Sequence, residues 1–277
     1  LAEYLETRLY DATVANFHSL CQQAASQLGR KVTQETDQKK LFEEIYPQVL
    51  MEFAETTGRV YDAIVVDEGQ DFHENYWIAL ESLLKTDGYL FIFYDDNQNL
   101  FHGQTNFGGL ISEEPFSLNQ NCRNTKRIHN TVMKFHNDPS GIVSYAPEGT
   151  NPEWIIYSDQ ADMHKALQKK LHQLVNEEDV SAQDIVILTP KGKNRTSLTP
   201  GLKLGNFVLT ERSTSQPTQI MTTTIQRFKG LERKVIIMTE LDQSVRFDLE
   251  MLMYVGCSRA RTHLIVLHDA ALSFGAL

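Results

Sequence analysis

Two short apolar runs each end in acidic residues: Ala63-Ile64-Val65-Val66-Asp67 and Leu90-Phe91-Ile92-Phe93-Tyr94-Asp95. Each is too short for a core helix and rich in β-branched or aromatic side chains, which predicts buried strands. Between them Trp77, Leu80, Leu83 and Leu84 recur at helical spacing, giving strand–helix–strand. The alternation returns downstream. Helical patterns cover 124–136 and 160–176, and strands are predicted at Ile185-Val186-Ile187-Leu188, Gln219-Ile220-Met221-Thr222 and Val235-Ile236-Ile237-Met238. A last helix around 248–258 leads into His263-Leu264-Ile265-Val266-Leu267. Such alternation predicts an α/β fold with parallel sheets and helices on both faces. Upstream, Leu41, Phe42, Ile45, Tyr46, Val49, Leu50 and Phe53 form a helical stripe that Pro47 is expected to bend. Residues 189–203 read as an irregular basic loop, solvated and touching phosphates only incidentally.

The chain has 277 residues, enough for one large domain or two of ordinary size. Its charge changes the picture. The first 110 residues hold 7 Lys and Arg against 18 Asp and Glu, whereas the remainder hold 19 against 18. That balance excludes a broad basic nucleic-acid surface and leaves room for a narrow channel with a few placed cations. The step also supports two units, 1–112 and 113–277, divided in the stretch from Phe107 to Pro115. Cys21, Cys122 and Cys257 are odd in number and far apart, which argues against a disulfide framework or structural zinc. A reducing, cytoplasmic setting is expected. No apolar run approaches the length of a membrane span, so no membrane association is expected, and no secretory signal is visible behind Leu1.

Candidate chemistry lies at the ends of the first two strands. Asp67-Glu68-Gly69-Gln70-Asp71 follows a buried strand, and ligands of open α/β sheets bind at that end. A first carboxylate there can hold Mg2+, and a second can orient and deprotonate water. The alternative is a solvated acidic turn. Asp95-Asp96-Asn97-Gln98 repeats the logic one strand over: Gln98 can reach a phosphate or a water, or the segment can be an ordinary Asp/Asn turn.

Taken together with four further segments, these residues resemble the core of superfamily 1 helicases of the UvrD/Rep-like group. Val14-Ala15-Asn16-Phe17-His18-Ser19-Leu20-Cys21 resembles an early DNA-side motif, and Asp67-Glu68-Gly69-Gln70-Asp71 the Walker B motif. Asp95-Asp96-Asn97-Gln98 is similar to the third motif, and Leu118-Asn119-Gln120-Asn121-Cys122-Arg123 to the fourth. Thr223-Thr224-Ile225-Gln226-Arg227-Phe228-Lys229-Gly230-Leu231-Glu232 is similar to the fifth, and Tyr254-Val255-Gly256-Cys257-Ser258-Arg259-Ala260 to the sixth. Their order is the family's.

The resemblance implies two RecA-like domains of the P-loop NTPase fold, the first incomplete, with ATP and Mg2+ as cofactors. Single-stranded DNA, or a single/double-strand junction, is the implied partner. Asp67 would partner Mg2+, Glu68 would be the catalytic base, and Gln98 would sense the γ-phosphate. Arg123 and Arg259 would act as arginine fingers, and Gly230 and Glu232 would meet the nucleotide. His18, Thr224 and Phe101 would face nucleic acid. Each has a plainer alternative: Arg123 a surface cation, Arg259 a cation at a helix C-terminus, Phe17 and His18 core or capping residues, and Phe101 a core residue.

The pattern also departs from the family. No G-x-x-x-x-G-K-[ST] occurs, since Gly192-Lys193 lacks both the preceding glycine and the following hydroxyl. The expectation is that the P-loop belongs to a missing N-terminal segment in cis, so this chain alone would turn over ATP poorly or not at all. Loss of central strands from the first sheet would leave exposed edges prone to aggregation. Cys122 stands where the family usually has an adenine-stacking Tyr, and Gly103 where many members have a DNA-stacking Trp. A rival expectation is a non-catalytic nucleic-acid-binding or regulatory module derived from a helicase.

Overall fold

The computed structural model describes residues 12–32, 37–98, 107, 111, 114–245, 248–272 and 274. Phe101, Gly103 and the opening Leu1–Leu5 lie outside the described residues, as does the side chain of Asp96. The chain divides into two compact units, Leu1–Pro115 and Phe116–Leu277.

Unit 1 places helices against a two-stranded parallel sheet. Helix α1 (Phe17–Gln27) starts at Asn16, whose side chain accepts from Ser19 N at 2.8 Å. Its buried positions Phe17, Cys21, Ala24 and Ala25 follow the helical repeat. A π turn, Leu41–Ile45, runs into α2 (Tyr46–Thr57). Pro47 falls in the first turn of α2 rather than bending its middle. A proline ring there removes a donor that the first turn leaves unused, and the wider turn before it gives the ring room. Strand β1 (Tyr61–Val66) pairs in parallel with β2 (Leu84–Ile92), and α3 (Glu74–Leu83) connects them with Trp77 and Leu83 fully buried. Strand β2 begins six residues earlier than its apolar run, directly at the end of α3.

One face of this sheet, with Ile64, Val66, Leu90 and Ile92, joins the helical core. On the other, Val65, Tyr89, Phe91 and Phe93 are half or more exposed. Parallel sheets are ordinarily covered on both faces.

Unit 2 is built on a seven-stranded sheet in the order β5-β11-β10-β6-β9-β8-β7. Its strands are β5 (Glu153–Tyr157), β6 (Ile185–Thr189), β7 (Lys203–Leu204), β8 (Phe207–Thr210), β9 (Gln219–Thr224), β10 (Arg233–Leu241) and β11 (Ala260–Asp269). All neighbours are parallel except β7 and β8. The predicted apolar runs in β6, β10 and β11 form its centre and are buried on both faces. Helix α5 (Gln160–His172) covers one face with Met163, Leu167 and Leu171. Helices α4 (Lys126–Val132) and α6 (Leu249–Cys257) lie on the sheet's other side. A small parallel pair, β3 (Gln120–Asn121) with β4 (Val143–Ser144), stands apart from the main sheet. The chain therefore has the expected α/β, parallel-dominated architecture. No described helix is long and apolar enough to cross a membrane.

Candidate nucleotide and nucleic-acid sites

In unit 1 the two acidic segments meet at the C-terminal ends of β1 and β2. Phe93 N donates to Val66 O and Gly69 N to Phe93 O, at 2.8 and 2.9 Å, so the two strand exits continue side by side. Gly69 is required by this approach: a Cβ there would stand 2.5 Å from Ile92 Cγ2 and 3.4 Å from Trp77 Cη2. Glu68 adopts the left-handed conformation, φ 56 and ψ 42. For a non-glycine residue this costs on the order of 1–2 kcal/mol, so the surroundings must impose it. Those surroundings are Gln70, which is buried. Its Nε2 donates to Glu68 Oε2 at 2.6 Å, and its Oε1 accepts from Asp95 N at 3.1 Å. One amide thus ties the first acidic segment to the second. Gln98 Nε2 donates to Asp95 Oδ2 at 2.7 Å, and Asn97 N to Asp95 Oδ1 at 2.9 Å. Asp67 is exposed, its Oδ1 accepting from Glu68 N at 3.0 Å. The structure brings Asp67, Glu68 and, through Gln70 and Asp95, Gln98 into one cluster. The sequence offers Gln70 only as part of the acidic segment, and its bridging role comes from the fold.

His18 lies elsewhere in unit 1, within an aromatic cluster. Its ring is 4.5 Å from Phe42 and 5.7 Å from Tyr46 between centroids, and Nε2 is 3.2 Å from Tyr76 Oη. Burial lowers its pKa below the usual 6.5 and raises that of Tyr76 to about 12, with the nearby Cys21 and Glu43 adding to the latter.

In unit 2 three segments distant in sequence converge where β10 and β11 begin. The turn after β3 carries Arg123. Asn121 Oδ1 accepts from Arg123 N and Asn124 N at 3.0 and 3.1 Å, which folds the backbone back before α4. Asn124 is 1% exposed. Its Nδ2 donates to Ser258 O at 3.0 Å and Ala260 O at 2.5 Å, and its Oδ1 accepts from Asn121 Nδ2 at 2.9 Å. Thr125 N adds a bond to Arg261 O, and Arg233 N one to Arg259 O, both at 3.0 Å. The Arg123 turn, the start of β10 and the Arg259–Arg261 turn are therefore one knitted platform.

On it, Arg123 Nε donates to Glu232 Oε2 at 3.1 Å, and Arg261 Nε lies 3.5 Å from Glu232 Oε1. Gly230, just before, takes φ +76 to make the turn. Arg259 differs from Arg123 in being 1% exposed, with Nε donating to Val255 O at 2.9 Å and Nη2 to Ser258 Oγ at 2.8 Å. The sequence joins Arg123, Glu232 and Arg259 only through resemblance; it offers Asn124 only as a helix start and does not single out Arg261.

The opposite end of the sheet holds Thr224, at the C-terminus of β9 beside Thr189 of β6. Its Oγ1 accepts from Arg227 N at 3.2 Å and caps the following turn. Here the 189–203 loop departs from expectation. It is pinned by Glu240, which is 3% exposed at φ 57. Glu240 accepts from Thr189 Oγ1, Thr196 Oγ1, Ser197 N and Ser197 Oγ at 2.5, 2.6, 2.7 and 2.9 Å. Leu198 is buried. Lys191 pairs with Asp242 at 2.5 Å and Lys193 with Glu211 at 3.6 Å, so the loop's cations are partly neutralised. A buried carboxylate must be fully hydrogen-bonded, and that requirement orders the loop.

Among the described residues, no group of three or more His, Cys, Asp or Glu is arranged to hold a metal. Gln226 Nε2 and Arg233 Nε are buried donors without a partner among the described residues.

Residues 219–267 match the UvrD-like helicase C-terminal domain family. No curated protein shows a significant match. Among solved structures, the C-terminal domain of a possible DNA helicase from Lactobacillus plantarum WCFS1 is similar over 55% of this chain and 89% of its own, at 19% identity and TM-score 0.39. The Arterivirus nonstructural protein 10 helicase covers 78% of this chain and 41% of its own, at 16% identity and TM-score 0.41. The PRRSV helicase covers 82% and 46%, at 11% identity and TM-score 0.43. The chain thus spans under half the length of either viral helicase. The matched stretch lies within the second unit and contains Thr224, Gly230, Glu232, Arg259 and Arg261, so over these residues the chain is similar to a UvrD-like helicase C-terminal domain.

Proposed function

We propose that the chain is the nucleotide-handling part of an ATP-dependent DNA helicase or translocase of superfamily 1, working with a P-loop supplied from outside these 277 residues. The observation that carries this reading is the Gln70 bridge, which joins Asp67 and Glu68 to the Asp95–Gln98 segment at adjacent strand exits. A merely solvated acidic turn has no need of a buried amide shared between two strands.

The donor set fits ATP and Mg2+. Mg2+ prefers one or two protein carboxylates together with water and phosphate oxygens, and Asp67 is an exposed carboxylate at a strand end. Asp67 would hold the ion, which supplies charge neutralisation to the phosphates. Glu68, aimed by Gln70, orients a water and takes its proton as that water attacks. Gln98, held by Asp95, reports on the terminal phosphate. Arg123 brings a planar, permanently charged group to equatorial phosphate oxygens, a contribution of ~10³–10⁵ in rate for an arginine finger. Arg259 has the same assignment, Glu232 and Gly230 would meet the nucleotide, and His18, Thr224 and Phe101 would contact single-stranded DNA.

A second reading is favoured by Arg259, whose guanidinium is buried on Val255 O and Ser258 Oγ as a structural arginine would be. In that reading the chain is a non-catalytic nucleic-acid-binding or regulatory module derived from a helicase.

The deciding experiment is ATPase rate with and without single-stranded DNA, on this chain and on one extended upstream to include a P-loop. DNA-stimulated turnover by the extended chain, abolished by Glu68→Gln, supports the first reading. Turnover that survives Glu68→Gln refutes the assigned base. ATP-independent DNA binding by a silent extended chain supports the second.

A further inference from the structure

Glu232 does not stand alone, as a nucleotide ligand awaiting its sugar would. Its two carboxylate oxygens are divided between two arginines, Arg123 on Oε2 and Arg261 on Oε1. The arginines arrive from segments locked together by Asn124 and by the Thr125 N to Arg261 O bond, so their spacing is set by backbone rather than by side-chain drift. We propose that Glu232 is a latch that withholds Arg123 at rest, and that Arg261 is the positioning residue that lets the latch open. When Arg123 leaves for a phosphoryl oxyanion, Arg261 keeps Glu232 paired, so no carboxylate is stranded beside the incoming negative charge. This rests on the phosphate-binding role given to Arg123 above and assigns two new roles, to Glu232 and to Arg261.

The geometry also sets the scale. All three side chains are roughly half exposed, and exposed ion pairs are weak. Such a latch closes only part of the population and yields to a multiply charged anion. Removing it strengthens anion binding by the reciprocal of the fraction of time the latch stands open, about two- to fivefold.

The test uses the 277-residue chain with inorganic tripolyphosphate at low ionic strength, in the wild type, Arg123→Gln, Glu232→Gln, Arg261→Gln and the Arg123→Gln/Glu232→Gln and Glu232→Gln/Arg261→Gln double variants. A parallel ¹⁵N spectrum follows the arginine side-chain Nε–H signals. The latch predicts that Glu232→Gln binds tripolyphosphate about two- to fivefold more tightly and that adding Arg123→Gln removes the gain. It predicts that Arg261→Gln weakens binding when Glu232 is present and has no effect when it is absent. Unchanged or weaker binding in Glu232→Gln overturns the latch and leaves Glu232 as a ligand contact. An equal loss from Arg261→Gln in both backgrounds overturns the relay and makes Arg261 a direct anion contact. Should Arg123→Gln leave binding unaltered, or the wild type bind no tripolyphosphate, the phosphate role of Arg123 fails. The spectrum then decides the latch separately: an Arg123 Nε–H signal unmoved by Glu232→Gln shows that no latch exists.

Discussion

Asn124→Ala is the substitution that most directly tests the platform. Asn124 donates one amide hydrogen to Ser258 O and the other to Ala260 O, and it accepts from Asn121. The alanine leaves two carbonyls in a site closed to water, and an orphaned buried polar group costs roughly 1–3 kcal/mol. Ala260 O sits at the start of β11 and can recover part of this by a small shift, so we expect a loss of about 3 kcal/mol rather than the upper sum. Asn124→Asp should be no better, because a carboxylate offers the two carbonyls no donor and adds a buried charge. The chain's two tryptophans make the assay specific: Trp77 belongs to unit 1 and Trp154 to unit 2. Urea unfolding followed by Trp154 emission, with Trp77→Phe in every protein compared, isolates unit 2. A loss smaller than about 1 kcal/mol, or an Asp variant as stable as the parent, would refute the claim that this amide knits the two turns.

Other outcomes follow from the same geometry. Glu240→Ala should release the 190–198 loop, so that trypsin cuts after Lys193 or Arg195 far faster than in the parent; equal cutting rates would mean the loop was mobile already. Phe91→Thr together with Tyr89→Thr should reduce binding of a hydrophobic dye and slow aggregation while leaving unit 1 folded, since both side chains lie on the exposed sheet face; undiminished dye binding would place the sticky surface elsewhere. His18 has its pKa depressed by burial, so the folded state keeps it neutral while the unfolded chain protonates. Its contribution is present above the ordinary value of about 6.5 and is lost as pH falls through the folded value, so the melting temperature of unit 1 should drop on acidification, and His18→Gln should flatten that part of the profile. An unchanged slope in the variant would assign the acid sensitivity to another group. Gly69→Ala should destabilise unit 1, because its new methyl would stand 2.5 Å from Ile92 Cγ2 and must displace it; wild-type stability would show that the two strand exits have slack.

The parallel core was legible because strands buried on both faces must be apolar throughout, as Ile185–Leu188, Val235–Met238 and Leu264–Leu267 are. The early start of β2 was not, since Lys85-Thr86-Asp87-Gly88 carries no strand pattern and falls in a register shift, Tyr61 pairing with Leu84 and Ala63 already with Tyr89. The 189–203 loop misled through its own polarity. What orders it is a lone acid inside an apolar strand, Glu240 in β10, and an acid in that setting was the available clue. Asn124 read as a helix start. Its actual partners are main-chain carbonyls, which no side-chain pattern reports. Gln70 lay in a recognised segment, but its importance comes from Asp95 N, a backbone group one strand away. The site's acids and arginines could thus be found by type and order; the amides that aim them could not.

The Asn124 bond to Ser258 spans 134 residues of chain. Closing so long a loop is entropically costly and gains nothing until its ends meet. A ribosome would release the acidic cluster of unit 1 as a finished local structure long before the arginine platform had both its halves. During synthesis, then, the carboxylates that would manage water come first, and the cations that would complete the chemistry are assembled only after the much later Ser258 has emerged.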